Sequence, residues 1–386
     1  MPDAKTTTTA PSGPRKGQGQ ALEDQRLAPG DKLPNMALPD QGGTVRTFYN
    51  ELKGGPIVLF VAASFQQRAP EAVLAGLVER LPTLAAHRAE LIALSGDSVA
   101  QNAALADGLS ADLQILAGDE SGVIEHLLAG EPPLLPGVEP PRPECCTYVL
   151  DPNQRVLAVI GREPCADHAA AALAALESWQ GAKVEPALVT RGAPALILTE
   201  IFEPAFCAEL IEAWRSGQQR EGGVSTGLGN VYEPGSKKTL EHQVSDPALS
   251  RRITVKLARR VGPELRKCFN HYQPFRLEGP IVMRYEASRQ DFFGLHRDDL
   301  RQSDRRRFAL SLNLNEGYEG GELIFPEYGP HLYRPPAGAA AIFSCALLHE
   351  ARPVTRGERF VMTSFFCDVD QPDPRVPAER RRHMAV

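Results

Sequence analysis

The chain has 386 residues, 42% hydrophobic and 23% charged, with a formal net charge of −6. That is apolar material for two cores at about 100 to 200 residues per domain. The mixed charge and the lack of any run of about 18 apolar residues predict neither a nucleic-acid partner nor a membrane span. Residues 1 to 27, rich in Thr, Pro, Gly and Gln, read as a disordered tail and not as a secretory signal. The seven cysteines, at 145, 146, 165, 207, 268, 345 and 367, form no Cys-x-x-Cys pair. They suit buried thiols in a reducing compartment, so a cytoplasmic location is expected.

In chain order, "PIVLFVAA" from residue 56 is a short apolar strand, and residues 70 to 86 carry Val73, Leu74, Leu77, Val78, Leu81 and Leu84 at helical spacing. "LIALS" is a strand again, which implies a parallel pair with a crossover helix. Asp97 and Ser98 signal the start of another helix. "TYVLDPNQRVLAVIG" reads as two strands about an Asp-Pro-Asn turn, and residues 166 to 179 as a closing helix. An α/β domain over residues 28 to 180 follows.

With "PGDKLPNMALPDQGGTVRTF" ahead of them, these elements resemble the peroxiredoxin branch of the thioredoxin-like fold. That family places a peroxide-attacking cysteine at the start of the first long helix, where the helix terminus and an arginine lower its pKa. The corresponding stretch here, "SFQQRAPEAV", holds no cysteine, and the supporting arginine is also missing near Cys145. Peroxidase chemistry by that route is not expected. Cys145 and Cys146 invite a redox reading, but two buried thiols at a strand start explain them as well.

Residues 181 to 194 lose periodicity and read as a linker. Beyond them a helix begins near Pro204, carries Phe206, Leu210, Ile211 and Trp214 on one stripe, and stops at Gly217. A second helix begins near Asp246-Pro247 and runs past Leu257 and Val261, with a bend expected at Pro263. Short strands follow: "IVMRYEA", "FFGLHRDD", "RRFALSLNLN", "GELIFPEY", "HLYRP", "GAAAIFSC" and "ERFVMTSFFCDV". Phe308, Leu310, Leu312 and Leu314 alternate with Ala309, Ser311, Asn313 and Asn315, which marks one apolar face. Seven or eight such strands broken by Gly and Pro suggest a jelly roll, or double-stranded β-helix, with flanking helices over residues 195 to 370. Residues 371 to 386 read as a tail.

In a continuous strand, His296 and Asp298 would share one face and Arg297 would point away. Alone, that pattern reads more readily as a half-buried histidine beside a solvated acid. His349, beside the strand-like "AIFS", supplies the third group of a 2-His-1-carboxylate facial triad, which leaves positions of an iron ion open. Asp299 is the competing carboxylate, on the opposite face of the strand. Arg359 offers a planar cationic fork suited to the far carboxylate of 2-oxoglutarate. Arg352 and Arg356 read as solvated charges, His271 and His331 as ordinary residues, and Gly320 and Gly321 as a turn or bulge.

"RYEASRQDFFGLHRDD", "LSLNLNEGYEGGELIFPE", "PPAGAAAIFS" and "HEARPVTRGERF" together resemble the Fe(II)- and 2-oxoglutarate-dependent dioxygenases of the prolyl 4-hydroxylase type, including the PKHD-type branch. The resemblance implies iron ligation by His296, Asp298 and His349, carboxylate binding by Arg359, a cosubstrate contact from Tyr285, and ascorbate (vitamin C) as a helper that keeps iron reduced. It also implies hydroxylation of a C–H bond with release of succinate and CO2, using molecular oxygen and no side-chain acid or base. The substrate, small molecule or protein, is not legible, and a homo-oligomer is left open. Residues 218 to 239, Gly-rich and polar, are expected to form a mobile lid over it. The rival reading is a non-catalytic redoxin-like binding or sensing protein with a metal-holding jelly roll.

Overall fold

The computed structural model describes residues 26–369 except 53, 110–112, 119–121, 129–142, 162–166, 180–184, 186–187, 227–228, 272 and 299–305. The amino-terminal tail up to residue 25, the tail 371–386, most of the Pro-rich loop before Cys145, part of the 181–194 linker and Asp299 lie outside the described residues. By contact the chain divides into two units: residues up to Trp179 without Gly30–Lys32, and Gly30–Lys32 with the chain from 180 onward.

In the first unit, strands β1 (Ala37–Pro39) and β2 (Val45–Thr47) pair and lead through helix α1 (Phe48–Glu51) into β3 (Ile57–Ala62). All six residues of β3 are buried. Ile57, Leu59 and Val61 enter one core and Val58, Phe60 and Ala62 the other, so an unbroken apolar run is what this central strand needs. There follow α2 (Arg68–Glu79), α3 (Leu81–Ala86), β4 (Glu90–Ser95), α4 (Val99–Leu109), β5 (Gln114–Ala117), α5 (Val123–Leu127), β6 (Cys145–Leu150), β7 (Val156–Ile160) and α6 (His168–Ser178). The sheet order is β5-β4-β3-β6-β7, with β3, β4 and β5 parallel and β6 and β7 antiparallel. This is a thioredoxin-like α/β domain.

Two local features differ from expectation or explain it. The single helical pattern over 70–86 is two helices, because Arg80 leaves the helix at φ −95°, ψ 4° and Pro82 opens the next one. Ahead of α2, where the related fold would carry its thiol, Asp97 holds the turn instead. Ser64 Oγ donates to Asp97 Oδ1 at 2.6 Å and the Phe65 N–H to Oδ2 at 2.7 Å. Cys146 is buried and Cys145 half-buried, with burial and then Glu144 pushing the Cys145 thiol above its usual pKa. A raised thiol pKa is the reverse of what activates a cysteine, so Cys145 is not activated there.

The second unit contains β8 (Leu196–Leu198), α7 (Pro204–Ser216), β9 (Arg220–Glu221), β10 (Val224–Thr226), β11 (Gly229–Val231), β12 (Lys237–Lys238), β13 (Leu240–Gln243), α8 (Pro247–Arg260) and α9 (Gly262–Phe269). After these come β14 (Phe275–Glu286), β15 (Phe292–His296), β16 (Arg306–Asn313), β17 (Glu319–Gly320), β18 (Leu323–Ile324), β19 (Ala340–Ser344), β20 (His349–Ala351), β21 (Val354–Arg356) and β22 (Glu358–Asp368). A major sheet, β8-β19-β16-β22-β14-β13-β9, faces a minor one, β12-β15-β20-β18. Together they form a jelly roll.

The helices cover the outer face of the major sheet. Asp246 caps α8 by accepting from the N–H groups of Ala248 and Leu249, which stabilises such a helix by about 1 kcal/mol. Phe206, Leu210 and Trp214 of α7 and Ile253 and Leu257 of α8 pack on Val282, Leu310, Leu312, Ile342 and Met362. Alternate residues point the other way: Met283, Tyr285, Phe343 and Val361 meet Leu323, Phe325 and Ala351 between the sheets. Strand β16 therefore has two buried faces. Phe308, Leu310 and Leu312 meet the helices, while Ala309, Ser311 and Asn313 face the interior.

"HLYRP" is not a strand. It contributes one bridge, Tyr333 to Leu323, and Pro335 and Pro336 then supply no N–H to extend a ladder. The Gly-rich stretch 218–239 contributes β9, the β10–β11 hairpin and β12.

Candidate metal centre

His296 ends β15, and His349 begins β20 directly opposite it in the antiparallel register. Asp298 lies past the end of β15, which corrects the continuous strand expected there. Its N–H donates to the Cys345 carbonyl at 3.0 Å, so the carboxylate returns to the histidines' side. Arg297 does point away, to an exposed pair with Glu327 at 2.8 Å.

Each histidine has its Nδ1 on its own main chain: His296 on the Gly294 carbonyl at 2.8 Å and His349 on the Leu347 carbonyl at 3.0 Å. A carbonyl only accepts, so the network assigns the proton to Nδ1 and leaves both Nε2 lone pairs free. Those Nε2 atoms face the one carboxylate, at 3.6 Å from Asp298 Oδ1 for His296 and 3.5 Å from Oδ2 for His349. The ligand atoms all lie within 4.8 Å of one another.

Burial opposes ionisation of Asp298, but its neighbours His296, His349 and Arg306 hold its carboxyl below the usual range, so it meets the cluster as a carboxylate. Burial pushes the His349 imidazole below its ordinary value, only partly offset by Asp298. With the proton of each imidazole on Nδ1, the two Nε2 atoms and the carboxylate present three acceptors to one point. A divalent transition metal fits such a set, with the remainder of its coordination sphere open.

Phe343 packs edge-on against the His349 ring at 4.6 Å, and Phe293 stacks on the His296 ring at 3.5 Å.

Arg359, at the start of β22, is 2% exposed. Its Nε and Nη2 both donate to Asn313 Oδ1, at 3.1 and 2.9 Å, and Nη2 also reaches Ser311 Oγ at 3.4 Å. All these acceptors are neutral, and no carboxylate among the described residues pairs with it. A buried guanidinium held this way has the fork geometry and charge that suit an anion. Gly321, at φ +68°, lets the arginine stem pass, since a Cβ there would lie 2.9 Å from Arg359 Cδ.

Tyr285 is the cross-strand neighbour of Arg359, and the guanidinium lies 5.3 Å from its ring centre. Among the described residues its hydroxyl makes only a long contact, 3.7 Å, to Met283 Sδ. Burial pushes the phenol far above its usual pKa, against a smaller opposing pull from Arg359. Asp298 also acts on this phenol. The structure thus brings all five sequence-selected residues to one interior.

Asn313 and Ser311 were missed as holders of Arg359. Their signal was present in "ALSLNLN", where the polar half of the alternation sits on the face that carries the chemistry. Phe293, Gly294 and the Cys345 carbonyl carried no such signal. Of the residues set aside, Arg356 forms an exposed pair with Glu319, and His271 stacks on Phe275 at 4.4 Å.

Residues 29–159 match the AhpC/TSA family. A PKHD-type hydroxylase of Synechococcus is 35% identical over 101 residues, 24% of this chain, and the chain spans only 44% of that relative's length. A solved prolyl-4-hydroxylase from Pseudomonas putida is 20% identical, with coverage of 46% of this chain and 94% of that one at a TM-score of 0.37. A PKHD-type hydroxylase of Burkholderia lata is 31% identical over 172 residues, 42% of this chain and 70% of the relative. By that last relationship, which extends over more than two thirds of the relative's length, the chain belongs to the PKHD-type hydroxylases.

Proposed function

We propose that the second unit is an Fe(II)- and 2-oxoglutarate-dependent hydroxylase of prolyl 4-hydroxylase type. The observation that carries this reading is the pairing, in one interior, of a three-acceptor cluster with a buried guanidinium lacking an anion. The first needs a cation and the second a carboxylate, and an iron ion with 2-oxoglutarate supplies both.

Fe(II), when bound, supplies the one-electron chemistry that dioxygen requires. His296 and His349 offer their Nε2 lone pairs and Asp298 its carboxylate to hold it. Arg359 binds the distal carboxylate of 2-oxoglutarate, oriented by Asn313 and Ser311. Tyr285 stays protonated and is placed to donate a hydrogen bond to the same cosubstrate. Phe325 and Phe343 shield the His349 side of the cluster from water. The balanced reaction is R–H + O2 + 2-oxoglutarate → R–OH + succinate + CO2. Ascorbate is the expected reductant for iron that strays to the ferric state.

The test is succinate release from 2-oxoglutarate with Fe(II), ascorbate and air, with and without proline-rich peptides as the first substrate class. Wild type should form succinate and His349→Ala should not. Iron-independent succinate, or none under any condition, would favour the metal-holding, non-catalytic rival.

A further inference from the structure

A buried ion pair stands beside the cluster without a part in the mechanism above. Lys237 Nζ and Glu241 Oε1 are 2.5 Å apart, with side chains 6% and 4% exposed. Lys237 belongs to the minor sheet and Glu241 to the major one, so the pair closes a corner of the barrel. Thr239 Oγ1 and Lys237 Cε would lie 2.2 and 3.1 Å from a Cβ at Gly222, so only glycine lets the chain lie over it. Burying such a pair gains little stability over apolar residues of the same volume. Its position suggests what it does.

Lys237 is the cross-strand partner of Phe293, and its ammonium lies over the Phe293 ring at 4.5 Å. Phe293 in turn stacks on His296, with ring centres 3.5 Å apart and planes 12° from parallel. The imidazole occupies one face of the phenyl ring at contact distance, which leaves the other face for the ammonium. Residues three apart on a regular strand point to opposite faces. Here the register shifts between Phe293 and His296, a bulge that turns both rings to one side. Gly294, inside the bulge, fixes its ends: its N–H donates to the Ser236 carbonyl at 2.8 Å and its own carbonyl accepts from His296 Nδ1.

We infer that Glu241, Lys237 and Phe293 form a column of positioning residues that sets the plane of the His296 ring, and with it the affinity of the centre for its metal. The inference rests on the metal role proposed for His296. The column acts through that ring and touches no substrate.

Two measurements test it. In metal-free wild type, the ring protons of His296, identified by their loss in His296→Gln, should be shifted upfield by the phenyl face; an unshifted resonance overturns the column. In absorption titrations with Co(II), Phe293→Leu should bind about tenfold more weakly than wild type, the effect expected when support behind a ligand is lost. Lys237→Met/Glu241→Gln, which removes both charges at similar volume, should also weaken binding. Phe293→Tyr should stay within about threefold of wild type, as rescue by a ring that still stacks. Leu323→Ala, a cavity in the same core without a ring contact to the ligands, is the control. Wild-type affinity in Phe293→Leu, or equal weakening in Leu323→Ala, overturns the inference. Absence of Co(II) binding by wild type would instead sink the metal role itself, leaving the ring-shift result to be read by itself.

Discussion

Replacing Asn313 with Asp tests the anion site by adding a charge at nearly unchanged side-chain size. Asn313 Oδ1 now accepts from Arg359 Nε and Nη2 at 3.1 and 2.9 Å, and an aspartate would put a full negative charge at that point. At a charge separation of about 4 Å and an effective dielectric constant of about 20, the attraction is about 4 kcal/mol. Desolvating the new carboxylate offsets roughly half of it, so about 2 kcal/mol of the guanidinium's capacity for an external carboxylate is lost. That corresponds to about thirtyfold weaker binding of 2-oxoglutarate. The fold gains less than the ion pair alone suggests, because Asn313 Nδ2 also donates to the Pro335 carbonyl at 2.6 Å and the aspartate cannot. Loss of that bond costs about 1–3 kcal/mol, so the melting temperature should change little or fall modestly. The assay is calorimetric titration of 2-oxoglutarate into Mn(II)-loaded protein under nitrogen, beside a melting curve. Binding within threefold of wild type in a folded Asn313→Asp protein would refute the idea that Arg359 receives the cosubstrate's carboxylate.

Tyr285→Phe removes a hydroxyl that holds only Met283 Sδ at 3.7 Å, so stability should shift by under about 1 kcal/mol, while 2-oxoglutarate binding weakens by about two- to tenfold; unchanged binding would make Tyr285 a packing residue. Leu210→Ala, fully buried between α7 and the major sheet, should destabilise the second unit by about 2–5 kcal/mol in denaturant melts, and a smaller loss would show that the core collapses around the gap. Glu203 answers to acid: burial opposes its ionisation, but hydrogen bonds from Arg260 and Lys256 bring its carboxyl down to about 2. A depressed folded pKa stabilises above the unfolded value near 4.5 and is lost as pH falls toward 2. Glu203→Gln should therefore lose stability less steeply than wild type across that window, by an amount solvent screening keeps modest, and superimposable curves would contradict the pairing.

How much of this was legible in the sequence differs between the ligands and what holds them. The cluster of His296, Asp298 and His349 could be read because histidine is scarce in this chain, with nine among 386 residues, and the spacing of the group survives local irregularity. Arg359 could be read because a lone arginine on the last long strand, ten residues beyond His349, has few other uses. Strand parity, by contrast, gave the right answer at Asp298 for the wrong reason. β15 stops at His296, and a hydrogen bond to Cys345 brings the carboxylate round. Parity fails outright between Phe293 and His296, because a bulge is set by partner strands far along the chain. Asn313 and Ser311 were visible as the polar half of an alternating strand, but alternation does not say that this half faces a site and not solvent. The break at Arg80 depends on one proline in a pattern that otherwise continues. Lys237 and Glu241 are ordinary charged residues by spacing, and only the closure of two sheets buries them together.

The most direct test of the whole reading is a count of bound cosubstrate against bound metal. Anaerobic equilibrium dialysis should find one Fe(II) or Co(II) per chain, one 2-oxoglutarate bound tightly only when the metal is present, and neither retained by His296→Ala/His349→Ala. Metal held equally well by that double variant, or 2-oxoglutarate bound with no regard to metal, would contradict a centre built from His296, Asp298 and His349.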